Sequence, residues 1–398
     1  MGFGQGLSGL NAASQNLDVI GNNIANSGTV GFKAGSATFA DVYASSRVGL
    51  GVQVASVNQR FTTGTVSSTG NQFDMAIDGA NGLFVVKDSG GQSFYTRNGQ
   101  FFSDKNNNIV NSQGQQLMGY APGGTTLVGL TVPTANIPPQ ATSTLTNTVN
   151  LDANAAVVPA TTTFDPADAA SFSNMTPVTV YDSLGNSHTV QQYYTKRDPA
   201  GGNSVWEVNY VVDGTVDPAN TATLAFNSAG SLASGSPATI SFTPGGSTSP
   251  AAPMGIQVVY GGSTQFGGSF SQNFIQDGYS TGEYASMSIG ADGSLVANYT
   301  NGATKTVGTL ALANFNNLQG LQPVGGNAWA ETADSGQAIL GTPGSNGLAQ
   351  IKGQAVEESN VDMSQELVNM IIAQRTYQAN AQTIKTQDQV LQTLINMS

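Results

Sequence analysis

Residues 362–398, DMSQELVNMIIAQRTYQANAQTIKTQDQVLQTLINMS, decide how the chain is read. Leu367, Met370, Gln374, Tyr377, Ala381, Ile384, Asp388, Leu391 and Ile395 recur at alternating steps of three and four, the a/d seam of a long helix. Gln374 and Asp388 interrupt that seam. Asp362 is the expected N-cap with Gln365 at the third helical position, and no Gly or Pro follows, which predicts a helix about 50 Å long. At the opposite end Leu10, Ala13, Leu17, Ile20 and Ile24 keep the same spacing. Asn22, Asn23, Asn26 and Gly28 are expected to close this first helix near residue 27, because Asn and Gly accept left-handed backbone.

Between the helices the pattern is β. Segments such as Leu83-Phe84-Val85-Val86, Val178-Thr179-Val180-Tyr181 and Val205-Trp206-Glu207-Val208 are short, β-branched or aromatic, and bounded by turn residues. Asp292-Gly293 and Asn98-Gly99 read as hairpin turns. The fold class expected is therefore a mainly β multidomain chain with α-helical termini, the helices forming a coiled-coil assembly domain and the middle nested antiparallel β domains. Thr-, Ala- and Pro-rich residues 125–148 and Gly-rich residues 261–282 bracket an insertion. The expected divisions are a helical assembly domain at 1–30 plus 360–398, connecting segments at 31–70 plus 331–359, an inner β domain at 71–144 plus 285–330, and an inserted outer β domain at 145–284. Two such helices alone bury too little to stand by themselves, so their stripes need each other or neighbouring subunits, and disordered ends are expected in the lone subunit.

Composition narrows the function. Only 9% of residues are charged, and 12 basic against 24 acidic residues give a formal charge of −12, so the counterion release that drives nucleic-acid binding is not expected. With no cysteine, disulfides and thiolate metal sites are excluded. Neither a Sec-type signal nor a membrane-spanning run of about 20 apolar residues is read, so export, if it occurs, is expected by another route.

Motifs that would signal an enzyme lack their context. Gly4-Gln5-Gly6-Leu7-Ser8-Gly9 fits G-x-G-x-x-G without a preceding strand, and its glycines are expected to loosen the start of the first helix. Gly278-Tyr279-Ser280-Thr281-Gly282 fits G-x-S-x-G, but the only histidine, His188, lies upstream, and the pentapeptide reads as an interdomain turn. Asp104 to Asn108 opens like a calcium loop, yet Ile109 and Gln115 occupy the positions that need Gly and Glu, so a hairpin turn is expected. His188 reads as a surface strand residue, and Glu357-Glu358 as a solvated approach to the last helix. No catalytic, cofactor-binding or metal-ligating residue is expected, and no cofactor.

Three stretches resemble the flagellar rod and hook protein family. Leu17-Asp18-Val19-Ile20-Gly21-Asn22-Asn23-Ile24-Ala25-Asn26-Ser27 with Val30-Gly31-Phe32-Lys33 resembles its N-terminal signature, and Glu366 to Asn380 its C-terminal helix. Gly82 to Val86, Tyr95-Thr96-Arg97-Asn98-Gly99-Gln100-Phe101 and Gly114 to Tyr120 resemble the β domain shared by hook and distal-rod proteins. In residues 145–275 only Val180 to Asn186 looks familiar, similar to the hook's outer domain, and the roughly 130 extra residues favour hook over rod.

The resemblance implies a hollow, curved tube joining rod to filament as a universal joint, sited outside the cell in the flagellum. The helical-seam residues Leu10, Leu17, Ile20, Ile24, Leu367, Met370, Tyr377, Ile384 and Leu391 would bury against neighbouring copies. The implied partners are copies of the chain, the distal rod, a hook cap, the hook-filament junction protein and the flagellar type III export apparatus, without nucleic acid, membrane insertion or a cleaved signal peptide. Phe39-Ala40-Asp41-Val42-Tyr43 resembles the export-gate element of early export substrates, through Phe39 and Tyr43; a plain amphipathic connector is the alternative. The competing readings of the whole chain are a distal rod subunit and an extracellular β-rich adhesin or fibre module.

Overall fold

The computed structural model describes residues 3–42, 49–245 and 250–397. Helices α1 (Phe3–Ala25) and α2 (Met363–Met397) stand at the two ends of a chain that is otherwise short strands and turns. The chain divides into two compact units, one of residues 1–134, 285–298 and 304–398, the other of residues 135–284 and 299–303.

In the first unit, strands β1 (Gly35–Val42) and β2 (Gly51–Gln59) form an antiparallel hairpin, bulged at Thr38/Phe39, that packs on α1. Strands β3 (Val66–Ser68) and β4 (Met75–Asp78) each recruit a strand from the far end of the chain. Ala355–Glu357 pairs antiparallel with β3, and Gln350–Gly353 with β4. Between those two segments Gln354 has a φ of 55°, a left-handed conformation uncommon for a residue with a side chain. It is held there because its N–H donates to the Asp74 carbonyl while its own carbonyl accepts from the Thr69 and Gly70 N–H groups.

The body of this unit is an antiparallel sheet in which Leu83–Lys87 lies between Ser93–Thr96 and Gln116–Tyr120. Its core gathers Leu83, Val85, Tyr95, Met118, Phe315 and Trp329. Asp292-Gly293 makes a hairpin turn as expected: Gly293 is left-handed at φ 76°, and Gly290 donates to the Ser294 carbonyl. Asn98-Gly99 does not. Ser93–Thr96 pairs with Leu83–Lys87 and Ala328–Ala330, whereas Phe102–Ser103 pairs with Ile109–Val110. Gly99 is required for proximity instead, since a Cβ there would lie 1.6 Å from the Met75 carbonyl oxygen. Asp104 to Asn108 is the expected hairpin turn, closed by Asp104 Oδ1 accepting from the Asn106 and Asn108 N–H groups.

The second unit contains two five-stranded sheets. One is an antiparallel meander of Asn174–Tyr181, Ser187–Ala200, Asn203–Val212, Thr215–Phe226 and Leu232–Ser234. Alternate residues of both sheets, among them Val178, Val180, Trp206, Val208, Leu145, Val149, Ile240 and Ile256, close into a single core, as a β-sandwich requires. Within the other sheet Thr144–Asp152 runs antiparallel to Ser271–Gln276 but parallel to Met254–Val259 and Thr264–Phe266. These parallel pairings depart locally from the antiparallel expectation. Parallel partners need long connections, so no hairpin signal can announce them.

Candidate assembly surface and its anchoring

Helix α2 starts where the cap is expected. Asp362 Oδ1 accepts from the N–H groups of Ser364 and Gln365 at 2.9 and 3.1 Å. Gln365 turns its amide to Asn369 rather than back to the cap, so only half of a capping box forms. Helices α1 and α2 pack antiparallel: Asn23 meets Glu366 near one end, and Gly6 faces Ile384 toward the other. A Cβ on Gly6 would lie 3.0 Å from Ile384 Cγ1, and one on Gly9 would lie 2.8 Å from Asn380 Oδ1. The two glycines therefore let the helices approach closely, instead of loosening α1.

The pairing departs from the expectation of disordered ends, since both helices are formed and matched within one chain. It also uses a different edge of α2. Glu366 and Ala373 are the buried positions of α2 among the described residues, and Asn369 and Asn380 are half-buried on the same side. The seam read from sequence lies one residue further on, about 100° around the helix. Accordingly Leu367, Tyr377 and Leu391 are 47%, 37% and 53% exposed, and Met370 and Ile384 half-buried. On α1, Ile20 is buried beside Ala12 and Ala13, while Leu10, Leu17 and Ile24 are half-buried. Val368, Ile371, Ile372, Val390 and Ile395 are exposed as well. Toward the end of α2 the surface opens into an apolar cleft of about 720 Å³ lined by Phe3, Ala379, Thr386, Val390 and Leu391.

What anchors these helices to their β body is a buried ionic cluster. Glu357 Oε1 accepts from Lys33 Nζ at 2.5 Å and Oε2 from Arg97 Nη1 at 3.0 Å, with all three side chains sealed from solvent. One carboxylate between two cations leaves a surplus positive charge, which backbone carbonyls absorb: Lys33 donates to Thr62, and Arg97 to Gly79 and Ala80. Burial pulls Lys33 below its ordinary range, and Glu357 opposes that pull; the same pair of influences acts on Arg97. Glu357 is thus the reverse of the solvated carboxylate expected from its acidic doublet.

Two asparagines reinforce the junction. Asn23 exchanges 2.8 Å hydrogen bonds with the Gly35 backbone in both directions, and Asn360 Oδ1 accepts from Ala34 while its amide donates to the Arg60 and Thr62 carbonyls. Asn23 is therefore a buried tie and not a helix terminator; α1 ends at Ala25, and Gly31, at φ 72°, makes the turn that follows. Lys33, Arg97, Glu357, Asn23 and Asn360 have no local signal in the sequence, because the partners within the ionic cluster lie up to 324 residues apart.

Phe39 projects from β1, 48% exposed, into a cleft it shares with Gln5, Ala12, Val52 and Ile372. Tyr43 lies outside the described residues. Among the described residues no helix is long and apolar enough to cross a membrane, and no group of three potential metal ligands converges.

Against known proteins, the chain is 45% identical to the flagellar hook protein FlgE of Escherichia coli, with 100% of both covered. The chain belongs to the flagellar hook protein family. It is 46% identical to flagellar hook protein FlgE of Salmonella typhimurium, again over 100% of each, and 32% identical to that of Borreliella burgdorferi over 98% of each. Family profiles match in chain order: flagella basal body rod protein at residues 5–33, the flagellar hook protein FlgE/F/G D1 domain at 76–154, the flagellar basal body protein FlaE D2 domain at 150–279, and the flagellar basal body rod FlgEFG protein C-terminal at 352–397. Among solved structures the Helicobacter pylori flagellar hook protein FlgE2 aligns with a TM-score of 0.53, 16% identity, 73% of this chain and 100% of that one, a likeness of fold. The two terminal signatures and the Tyr95 to Tyr120 pattern resemble rod and hook proteins alike, and the matches at full length fall on the hook side, to which the inserted residues also point.

Proposed function

We propose that the chain is the structural subunit of a flagellar hook, polymerising through its terminal helices into a curved hollow tube that bends while transmitting torque from rod to filament. The observation that carries this reading is the band of uncovered apolar side chains on α2, from Leu367 to Ile395, on a helix that already has one intrachain mate. Burying such side chains against neighbours contributes about 25 cal/mol per Å² of apolar surface. Leu10, Leu17, Ile24, Leu367, Met370, Tyr377, Ile384 and Leu391 form the proposed subunit seam, with Ile20, already buried within the subunit, backing it.

The functional division we propose is a helical assembly domain (1–30 plus 360–398), connecting segments (31–70 plus 331–359), an inner β domain (71–144 plus 285–330) and an outer β domain (145–284). With only 9% charged residues, contacts between outer surfaces are mostly weak and polar, and these slide without the breaking of ion pairs, which keeps bending cheap. The subunit is not an enzyme and takes no cofactor. It works outside the cell, exported by the flagellar type III apparatus without signal cleavage, with Phe39 and Tyr43 as the export-gate element; its neighbours are its own copies, the distal rod, the hook cap and the hook-filament junction protein.

Electron microscopy of purified full-length chain under polymerising conditions tests this. Curved tubes are expected from the full chain, and monomers both from residues 71–358 alone and from full-length Leu391→Asp. Tubes from either altered chain would overturn the reading.

A further inference from the structure

The sole histidine of the chain sits between two carboxylates. His188 lies at the start of the strand Ser187–Ala200. Its Nδ1 lies 2.6 Å from Asp213 Oδ2 and its Nε2 3.4 Å from Asp182 Oδ2. Asp182 belongs to the turn before that strand and is itself fixed, accepting from the Leu184 and Asn186 N–H groups and from the Asn186 amide. Asp213 belongs to the turn after Asn203–Val212, where it holds a left-handed φ of 49° and accepts from the Thr189 N–H. The Phe242 ring packs edge-on against the imidazole at 5.8 Å. Among the described residues Asp182 and Asp213 are the charged groups that act on the ring; Phe242 brings none.

Both flanking groups are acceptors when ionised. A neutral imidazole has one N–H and one lone pair, so it satisfies one carboxylate and turns its lone pair on the other. Only the imidazolium donates at both nitrogens. The two carboxylates also address opposite nitrogens, a geometry in which they cannot converge on one metal ion. We propose that His188 is a proton-dependent staple, which as imidazolium ties the Asp182 turn to the Asp213 turn and tightens that end of the Asn174–Val212 meander.

Burial draws the His188 pKa down, but the hydrogen bonds and charges of Asp213 and Asp182 outweigh it and raise the value above the ordinary 6.5. A group whose folded pKa is raised adds stability that is complete below its unfolded pKa and is lost as pH rises through the folded one. The meander is therefore tightest below the ordinary histidine value and loosens as the pH rises through the raised value of His188.

Having one histidine makes the test direct. In the full-length chain kept unpolymerised, the single imidazole C2 proton resonance is followed against pH, and hydrogen exchange is measured on peptides covering residues 174–182 and 187–212 between about pH 5.5 and about pH 8.5, corrected for intrinsic exchange. The expected results are a titration midpoint above 6.5, a midpoint lowered by Asp213→Asn, and protection that declines with rising pH in the parent chain but not in His188→Gln. A midpoint at or below 6.5, a midpoint unmoved by Asp213→Asn, or equal pH dependence in the parent and His188→Gln would overturn the proposal.

Discussion

The sandwich of the second unit and the helix pair of the first are built on opposite terms. In the sandwich, buried residues from both sheets close a core of their own around the fully buried Trp206, even though Phe266, Phe274 and Ile275 remain exposed on its outside. Helix α2 spans 35 residues, yet Ala373 is its one buried apolar side chain among those described. A sheet that has both an inner face and a facing sheet is finished within the subunit. A helix matched along one edge, with branched and aromatic side chains left around the rest, is not finished within the subunit.

That contrast can be broken or sharpened by substitution. The largest effect is expected at the anchor: Glu357→Ala strands two buried cations and should destabilise the first unit by about 3–5 kcal/mol, read by denaturant unfolding with hydrogen exchange resolving the units. Trp206→Ala should cost the sandwich about 3 kcal/mol or somewhat more while leaving exchange in residues 355–380 unchanged. If both variants loosen both units equally, the distinction between them fails. Gly9→Val, which forces a Cβ onto Asn380, should weaken the helix pairing by about 1–3 kcal/mol and raise exchange in α2. Asp362→Ala removes the N-cap and should lower helix stability by about 1 kcal/mol, visible as fraying of residues 363–367. The smallest effect on the free subunit is the most informative. Leu391→Ala should change its unfolding by no more than about 0.5 kcal/mol, since the side chain is already exposed, yet raise the concentration needed for polymerisation. A large loss of subunit stability instead would mean that Leu391 is spent inside the molecule.

Much of this architecture is legible in the sequence wherever one residue's neighbours along the chain carry the physics. The Asp362 cap, the Asp292-Gly293 turn and the helical period of residues 362–398 are local, and each appears where the sequence places it. The edge that α2 turns toward α1 differs by one residue from the sequence seam, because apolar side chains run almost all round the helix at Leu367 to Ile372 and period alone cannot say which of them an intrachain mate covers. Asn98-Gly99 has hairpin composition, but its glycine answers to Met75 across a tertiary contact. Glu357 reads as solvated because a doublet of acids usually is, and only the fold brings Lys33 and Arg97 to it. His188 reads as a plain surface residue for the same reason: Asp213 is 25 positions away and reaches it through strand pairing.

The strand exchange at Gln354 has a mechanical consequence. Traction on α2 along the chain draws Glu357 one way while the Ser68 end of β3, continuous with the β body, holds the other, so the ladder between them is loaded in shear and its hydrogen bonds must yield together rather than peel singly. Behind it, Gln350–Gly353 on β4 offers a second ladder of the same polarity, offset by the kink at Gln354. The chain thus meets a pull with two short grips in series, the outer one ending on a carboxylate clenched by two cations.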